Sequence, residues 1–299
     1  MTEHPLADQV ARIAVAAPPM LVSLLDGRLV PSTAPLLRPD DAGVIRGDGI
    51  FETTLVVGGI PRDLDEHLER LGASAKMTDL VLPDAEAWQP GIAAVLGAWT
   101  GSDMVLRLIA TRGPDHEGPT CYVTGATVSE IAERQRTEGV RTLLLDRGFS
   151  GSAAAAAPWL LAGAKTLSYA VNMAALRHAA AHDADDVIFV GSDGAVLEAP
   201  TASVVIARGH TLLTPPVAGV LAGITVLRLF RAARQAGWTT AFQPLVPADL
   251  AAADGVWLAS SVRLLAPVLS IDGVPRTDAG LTVPMLRLLD CPDVPASSV

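Results

Sequence analysis

A single lysine stands out among the residues of this 299-residue chain that could do covalent chemistry. Of the 22 lysine and arginine residues, only Lys76 and Lys165 are lysines. A guanidinium stays protonated, whereas a desolvated ammonium can lose its proton and act as a nucleophile or a base. No acidic residue lies within fifteen positions of Lys165 on either side, and such surroundings lower the pKa of an amine. Lys165 is therefore either a reactive amine or a solvated side chain at a loop-to-helix junction, and Lys76 is predicted to lie on a helix surface.

A candidate anion site opens a predicted helix that ends at Ala236. Residues 219–225 read GVLAGIT and place two glycines before the helix. Unpaired N–H groups and the positive end of the helix dipole suit such a position to an anion. The Thr225 hydroxyl either adds a donor or only caps its own helix. The segment is neither a Walker loop nor a dinucleotide-binding fingerprint, since no lysine follows the second glycine and GxGxxG after a strand is absent.

Three further side chains could complete a binding site. Glu198 lies in an apolar, strand-like run, where it either faces solvent or pairs with a buried cationic ring nitrogen. His67 and Arg70 share one face of a predicted helix, and that face is either solvated or part of an anion site. An amine for an imine, a carboxylate for a pyridinium nitrogen and an anion site for a phosphate are together what pyridoxal phosphate requires. The set therefore indicates a pyridoxal-phosphate site.

The elements that must position these residues follow from the spacing of apolar residues. Strands are predicted at 20–30 (a hairpin), 51–57, 60–62, 104–111, 120–128, 139–146, 186–190, 195–199, 203–207, 211–214, 240–243 and 256–260. Helices are predicted from Asp63, capped by that residue, and over 84–99, 168–182, 224–236 and 284–290. The alanine-rich stretch 150–157 is predicted to be a mobile loop, the charged stretch 129–138 an interdomain connection, and the last residues disordered. The first half thus reads as a small α+β unit.

Composition limits the class of protein. The formal net charge is −10 with no basic run, which argues against nucleic acid and anionic membranes as partners. Cys121 and Cys291 are too few for a disulfide framework, and the six histidines are scattered, so no metal site is predicted. The N-terminus lacks a signal-peptide pattern, and the apolar stretch 13–25 is too short to span a bilayer. We expect a soluble cytoplasmic protein.

Several motifs, in order and at typical intervals, resemble the fold-type-IV pyridoxal-phosphate enzymes, which include branched-chain and D-amino-acid aminotransferases and 4-amino-4-deoxychorismate lyase. They are GDGIFET at 47–53, HLERL at 67–71, KTL at 165–167, Asn172, the turn at 193–194 leading to Glu198, GIT at 223–225 and ASS at 259–261 ahead of Pro267. The resemblance covers nearly the whole chain. It implies an α+β fold with two domains and a homodimer. A small N-terminal domain (1–134) would shape the substrate pocket, and a larger, mixed-sheet, pseudo-barrel domain (139–299) would bind pyridoxal 5'-phosphate.

The resemblance also implies roles for individual residues. Lys165 is expected to bond covalently to the cofactor and to shuttle protons, and Glu198 to keep the ring nitrogen protonated. Leu221 is expected to pack on the face of the ring. The residues expected around the phosphate are Arg70, Gly223, Ile224, Thr225 and Ser261.

Two departures from the family concern the substrate side. Arg46 stands where an aromatic residue is common before GDG, and the loop after Arg112 has His116 but no second arginine to hold a substrate carboxylate. We therefore predict that Arg46 binds the substrate carboxylate, with His116 as a further substrate-binding residue. The alternative is that Arg46 pairs with Asp48 or Asp41 in a turn.

The resemblance favours 4-amino-4-deoxychorismate lyase, which gives 4-aminobenzoate and pyruvate in folate precursor synthesis. The alternative is a class IV aminotransferase that acts on D- or branched-chain amino acids with a 2-oxo acid acceptor, because the lyase must recognise two carboxylates and Arg46 supplies one partner. A third interpretation is a non-catalytic pyridoxal-phosphate binder, against which the intact Lys165 and Glu198 argue.

Overall fold

Two β-sheets, formed by successive parts of the chain, organise the fold. The computed structural model describes residues 20–289. The strands of the first sheet are β1 (Met20–Leu24), β2 (Leu29–Val30), β3 (Gly49–Val57), β4 (Ile60–Pro61), β5 (Met104–Thr111) and β6 (Thr120–Thr127). Their order is β2-β1-β6-β5-β3-β4, and every neighbouring pair is antiparallel.

Three helices accompany the first sheet. They are α1 (Ala42–Arg46), α2 (Leu64–Met77) and α3 (Gln89–Ala98), the last preceded by a 3-10 turn at Ala85–Trp88. The apolar positions that predicted α2, including Leu68 and Leu71, join a buried cluster with Ile50 of β3 and Leu106 of β5. Burial of this stripe fixes which face of α2 is turned toward the sheet.

The second sheet is mixed and curls into a half-barrel. Its strands are β7 (Val140–Asp146), β8 (Asp186–Val190), β9 (Glu198–Ala199), β10 (Ala202–Arg208), β11 (Thr211–Thr214), β12 (Thr239–Phe242), β13 (Gly255–Ser260), β14 (Leu264–Ile271) and β15 (Val274–Pro275). The main order is β12-β11-β10-β13-β14-β7-β8, with β9 beside β10 and β15 beside β14. The pairs β11–β12, β14–β7 and β7–β8 are parallel.

The helices of this second part are α4 (Glu130–Glu138), α5 (Gly151–Ala156), α6 (Ala170–Ala180), α7 (Ile224–Gln235), α8 (Pro247–Ala252) and α9 (Thr282–Leu288). Leu229 and Phe230 of α7 and Leu286 of α9 pack with Trp257 of β13 in one buried cluster. The α+β class expected from the sequence is confirmed. The proposed domain boundary at residues 134–139 falls within α4 and the glycine after it.

The segment that carries Lys165 joins the two parts. The N–H of Leu167 donates to the Gly49 carbonyl at 2.8 Å, and the N–H of Phe51 donates to the Lys165 carbonyl at 3.0 Å. A Cβ at position 49 would lie 2.6 Å from the Ala110 carbonyl oxygen, so only glycine permits this approach. The lysine backbone is therefore fixed against β3 of the first sheet.

Two local predictions are wrong for physical reasons. Residues 151–156 form α5 rather than a loop, because Ser150 accepts a hydrogen bond from the Ala153 N–H and alanine has the highest helix propensity. Asp63 precedes α2 but does not cap it, since its backbone is left-handed (φ 51°) and its carboxylate accepts from Arg228 at 2.7 Å.

Other elements differ in extent. The sequence pattern did not predict α1, α8, β14 and β15, and the connection 129–138 contains α4. The predicted strand 195–199 shortens to β9, and the last helix is Thr282–Leu288 instead of 284–290. Residues 13–19, Cys291 and the end predicted to be disordered lie outside the described residues. Within residues 20–289, no helix has both the length and the apolar composition needed to cross a membrane.

Candidate active site

A cavity of about 230 Å³ is lined by residues from both parts of the chain. It contains every residue that the sequence analysis expected around a cofactor: Arg70, Lys165, Glu198, Leu221, Gly223, Ile224, Thr225 and Ser261. They come from α2, from the segment before α6, from β9, from the turn into α7 and from the end of β13. The fold therefore brings distant sequence positions to one cavity.

Lys165 presents its amine to this cavity from a fixed backbone. The N–H of Lys165 donates to Ser74 Oγ at 3.0 Å. Its Nζ lies 4.4 Å from the centre of the Phe51 ring and 3.3 Å from the Tyr169 hydroxyl. Desolvation lowers the pKa of Lys165 to about 8, against the effect of nearby carboxylates. About a tenth of the amine is thus neutral at pH 7, and this form can attack an aldehyde. Lys76, in contrast, is exposed on α2.

Glu198 faces the same cavity from β9. Its Oε2 accepts a hydrogen bond from the Leu221 N–H at 3.1 Å. Burial raises the pKa of Glu198 to about 7, although the Leu221 N–H and the charges of Arg147 and Lys165 oppose the rise. A protonated nitrogen close to this buried carboxyl group would stabilise its ionised form.

The N-terminus of α7 forms another wall. The helix begins at Ile224 with Gly223 at the N-cap, where no side chain supplies a capping hydrogen bond. Thr225 is the second residue of the helix and is buried, so the alternative in which it caps its own helix is wrong. A Cβ at position 223 would lie 2.4 Å from Ser203 Oγ, so a larger residue there would force the Ser203 hydroxyl to move. The N–H groups of the first turn suit an anion.

A buried ionic network lies beside this wall. Glu52 of β3 is 1% exposed and accepts from Arg70 Nε at 2.6 Å and from Nη2 at 2.8 Å. His67 Nδ1 lies 2.6 Å from Glu52 Oε2, and His67 Nε2 lies 3.3 Å from Ser261 Oγ. Burial alone would raise the pKa of Glu52, but Arg70 and then His67 outweigh it and bring the pKa to about 2. The face of α2 that carries His67 and Arg70 is therefore not solvated.

A second chamber of about 460 Å³ shares Lys165 and Tyr169 with the first. Arg107 of β5 lines this chamber, and burial lowers the pKa of its guanidinium. Within the part of the chain that the structure describes, Arg107 makes no ion pair, whereas Arg263 of the same chamber pairs with Asp186 at 2.6 Å. An unpaired, partly desolvated guanidinium favours an anionic ligand.

The two residues predicted to bind substrate lie elsewhere in the single chain. Arg46 ends α1 on the surface, and His116 is exposed in the β5–β6 loop with φ 69°. Neither lines the two cavities. The alternative pairing of Arg46 is wrong, since Asp48 pairs with Arg112 at 2.7 Å and Asp41 accepts from a threonine hydroxyl and a backbone N–H. The substrate-binding roles of Arg46 and His116 stay predictions.

Comparison with known proteins decides the family. The profile of the family described as amino-transferase class IV matches residues 49–271, which is most of the chain and includes both cavities' main residues. The chain belongs to the class IV aminotransferases. Members of this family are enzymes that use pyridoxal phosphate.

The names of relatives of this class IV chain include a lyase activity and a D-amino-acid transaminase activity. A bifunctional aminodeoxychorismate lyase / D-amino acid transaminase from Mycobacterium tuberculosis is 43% identical over 271 residues, covering 86% of this chain and 94% of the relative. A D-alanine aminotransferase from Bacillus licheniformis is 28% identical, covering 84% and 88%.

Solved structures give the same fold. A hypothetical aminotransferase from Mycobacterium tuberculosis in its PLP-bound form is 43% identical with a TM-score of 0.87, over 91% of this chain and 98% of that one. A fold IV transaminase from Curtobacterium pusillum is 38% identical with a TM-score of 0.85, over 90% and 96%.

The residues of the cavity fit the class IV cofactor. An amine with a lowered pKa, a carboxylate with a raised pKa and a helix start without a side-chain cap occupy separate walls of one cavity. These groups are complementary to an aldehyde, a pyridine nitrogen and a phosphate, respectively.

Sequence reasoning missed four residues of this class IV site: Phe51, Glu52, Arg107 and Tyr169. Arg107 offered a usable signal, since it interrupts an apolar strand with a charge, as Glu198 does. Glu52 offered the same signal in a β-branched run within the GDGIFET motif. Phe51 and Tyr169 offered none, because aromatic residues beside a motif are usually part of the core.

Proposed function

We propose that this class IV enzyme is a 4-amino-4-deoxychorismate lyase that gives 4-aminobenzoate and pyruvate. One observation carries the proposal: the amine of Lys165 lies on the wall common to two cavities, one with Glu198 and the α7 N-terminus and the other with Arg107. A cofactor and a carboxylate-bearing substrate could thus meet at one amine. The lyase reaction is supported by the 43% identical relative that carries this activity in its name.

The proposed roles of the chain's own residues follow from their surroundings. Pyridoxal phosphate, when bound, supplies an electron-withdrawing ring next to the substrate nitrogen. Glu198 holds the proton on the ring nitrogen, while Arg70, Ser261 and the first turn of α7 bind the phosphate. Lys165 takes the proton from the substrate carbon beside the nitrogen, since its lowered pKa makes a neutral amine accessible. The Tyr169 hydroxyl, 3.3 Å away, orients that amine.

In the lyase reaction the carbon–oxygen bond to the enolpyruvyl group then breaks. The substrate ring becomes aromatic and leaves as 4-aminobenzoate. The proton that Lys165 took is delivered to the methylene carbon of the departing group, which completes pyruvate, so no second substrate is needed.

D-Amino-acid transamination is the second candidate. It is favoured by the bifunctional name of the same relative and by the D-alanine aminotransferases that are 28% identical. In that reaction the nitrogen stays with the enzyme, a 2-oxo acid leaves, and a second 2-oxo acid takes up the nitrogen. The wider alternative that includes branched-chain amino acids is supported by an archaeal relative named as a putative branched-chain aminotransferase at 27% identity.

We assign the substrate carboxylate to Arg107. It is the described guanidinium that lines the chamber beside Lys165 without an ion pair. Arg107→Lys should raise KM for the substrate at least tenfold, because an ammonium loses bidentate contact with a carboxylate. Arg46→Ala tests, in the same assay, the prediction that Arg46 binds the substrate carboxylate. If KM is unchanged in Arg46→Ala and raised in Arg107→Lys, the carboxylate is bound by Arg107 and not by Arg46.

One experiment separates the two reactions. Holoenzyme is given aminodeoxychorismate, and 4-aminobenzoate and pyruvate are measured; separately, D-alanine is added without any 2-oxo acid. Product formation with no spectral change on D-alanine means lyase, conversion of the bound aldehyde to its amine form means transaminase, and both results mean one site with two activities. Absence of 4-aminobenzoate would overturn the lyase proposal.

The homodimer and the two domains also remain proposals. Large apolar side chains are exposed on the single chain, among them Val44, Ile45, Trp159 and Val171, each more than half exposed. Such exposure supports a covered surface in the assembly. Sedimentation should give a mass of twice the 30.9 kDa chain, and a monomer mass at micromolar concentration would reject the dimer.

A further inference from the structure

A chain of three polar groups connects the buried Glu52 to the cavity. Glu52 Oε2 lies 2.6 Å from His67 Nδ1, and His67 Nε2 lies 3.3 Å from Ser261 Oγ. Glu52 and His67 are each 1% exposed, so water does not compete for these contacts. Ser261 is the member of the chain that lines the cavity.

The carboxylate fixes which nitrogen of His67 carries a proton. The pKa of Glu52 is about 2, so this group is an acceptor at any working pH. His67 Nδ1 must therefore be the donor to Glu52, and in the neutral ring Nε2 can only accept. The state of Nε2 then determines the direction of the Ser261 hydroxyl.

Two arrangements of Ser261 result. Beside a neutral His67, the Ser261 hydroxyl donates to Nε2 and presents lone pairs to the cavity, which repel a phosphate oxygen. Beside a protonated His67, Nε2 donates to Ser261 Oγ, and the hydroxyl proton is free to point into the cavity. Only the second arrangement supplies a donor to an anion.

We propose that His67, held by Glu52, is a positioning residue that aims the Ser261 hydroxyl at the cofactor phosphate, and that phosphate binding is coupled to protonation of His67. This inference rests on the proposed placement of the phosphate at this end of the cavity. It adds two residues, neither of which touches the cofactor, to the phosphate site.

Charged side chains from several elements lie close to His67. Two carboxylates and three guanidiniums surround it: Glu52 on β3, Asp63 before α2, Arg62, Arg70 on α2 and Arg228 on α7. The other residues that line this small pocket are uncharged: Thr54, Thr225, Ser261, Leu264 and Leu289. Glu52 is the carboxylate in direct contact with His67, and Ser261 is its contact on the cavity side.

The test compares pyridoxal phosphate with pyridoxal, which lacks the phosphate. Dissociation constants of both are measured on the apoenzyme between pH 7 and 9, where the phosphate is dianionic. The change of this ratio between wild type and variants isolates the phosphate contribution, because the chemistry of each free aldehyde, including ring closure of pyridoxal onto its own hydroxyl, is the same for every protein. In the wild type, the preference for the phosphate form should fall as pH rises, by up to about tenfold per pH unit.

Matched variants of Ser261 test the hydroxyl. Ser261→Ala should lower the preference at pH 7 by roughly ten- to a hundredfold and make it independent of pH, since a charge-assisted hydrogen bond is lost. Ser261→Thr keeps the hydroxyl and should retain the wild-type slope. An unchanged slope in Ser261→Ala, or a flat profile in Ser261→Thr with normal thermal unfolding, would overturn the proposal.

A variant of His67 tests the titrating group. In His67→Gln the imidazole is gone, so the preference should not change with pH; a persisting slope would contradict the proposal. The result is separable from the proposed function. If borohydride fixes neither aldehyde to Lys165, the function itself fails, whereas fixation of both aldehydes with equal affinity rejects only the phosphate coupling.

Discussion

Glu52 and Glu198 are both carboxylates next to the same cavity, yet their pKa values move in opposite directions. Burial pushes both values upward. For Glu52, the Arg70 guanidinium and His67 reverse that effect and bring the pKa to about 2. For Glu198, the Leu221 N–H and more distant positive charges do not, and the pKa is about 7.

The two carboxylates differ in where their positively charged partners come from. Glu52 has its cationic partners within the protein, at distances of 2.6–2.8 Å. Glu198 has a backbone donor and no cation within salt-bridge distance among residues 20–289. Glu52 therefore stabilises the folded site through its own ion pairs. Glu198 is expected to pair with the protonated ring nitrogen of the proposed cofactor when the cofactor binds.

The largest expected effect comes from neutralising Glu52. Glu52→Gln should lower the free energy of unfolding of the apoenzyme by about 3–5 kcal/mol, because it leaves Arg70 buried without its counter-charge. Urea unfolding measures this. The control is Glu69→Gln, an exposed position on α2, which should change the value by less than about 0.5 kcal/mol. Equal free energies of unfolding for the two variants would contradict the conclusion that Glu52 stabilises the folded protein.

Glu198→Gln should affect catalysis instead of folding. We expect kcat for 4-aminobenzoate formation to fall by about 10²–10³-fold, since the ring nitrogen loses the charge that keeps it protonated. The free energy of unfolding of the apoenzyme at pH 8 should stay the same or increase, because a costly buried charge is gone. Steady-state kinetics and urea unfolding of one preparation give both values, and full activity would contradict the assigned role.

The pH dependence of stability should separate the two carboxylates further. A folded-state pKa above the unfolded value means that the folded protein binds more protons, so the stabilisation from protonated Glu198 is lost as pH rises from about 4.5 to about 7. Relative to Glu198→Gln, apo wild type should lose about 2–3 kcal/mol over this window. Glu52 has the opposite sign, and its contribution is lost only as pH falls from about 4.5 toward 2. Parallel curves for wild type and Glu198→Gln would contradict the raised pKa.

The smallest expected effect is on the pH dependence of the reaction of Lys165, whose pKa depends on the charge of Glu198. The rate of covalent fixation of pyridoxal phosphate should rise roughly fivefold from pH 7 to 8 and level off above about pH 9, because the neutral amine reacts and its pKa is about 8. Since the charge of Glu198 raises the pKa of Lys165, Glu198→Gln should shift this profile to lower pH. Stopped-flow absorbance follows the rate; a profile that does not move would show that the two groups are not coupled.

The sequence was sufficient for the residues whose type limits their chemistry. Lys165 was recognisable because lysine is rare here, and Gly223 because two glycines precede a helical pattern. The long helices α2 and α7 were predictable because their apolar stripes have helical spacing. All of these signals are local.

The partners of those residues were not predictable from local signals. The contact of Lys165 with β3 joins positions more than a hundred residues apart, and no alternation of apolar residues encodes it. The pairing of His67 with Glu52 depends on which face of β3 meets α2, which only tertiary packing decides. Short elements such as α1 and α8 escaped because five or six residues give too little periodicity.

The most direct measurement uses the fact that the chain has only two lysines. The apoenzyme is incubated with pyridoxal phosphate, reduced with borohydride, digested and analysed by mass spectrometry. We expect a reduced cofactor adduct on the peptide with Lys165 and none on the peptide with the exposed Lys76. An adduct on Lys76 alone, or no adduct at all, would contradict it.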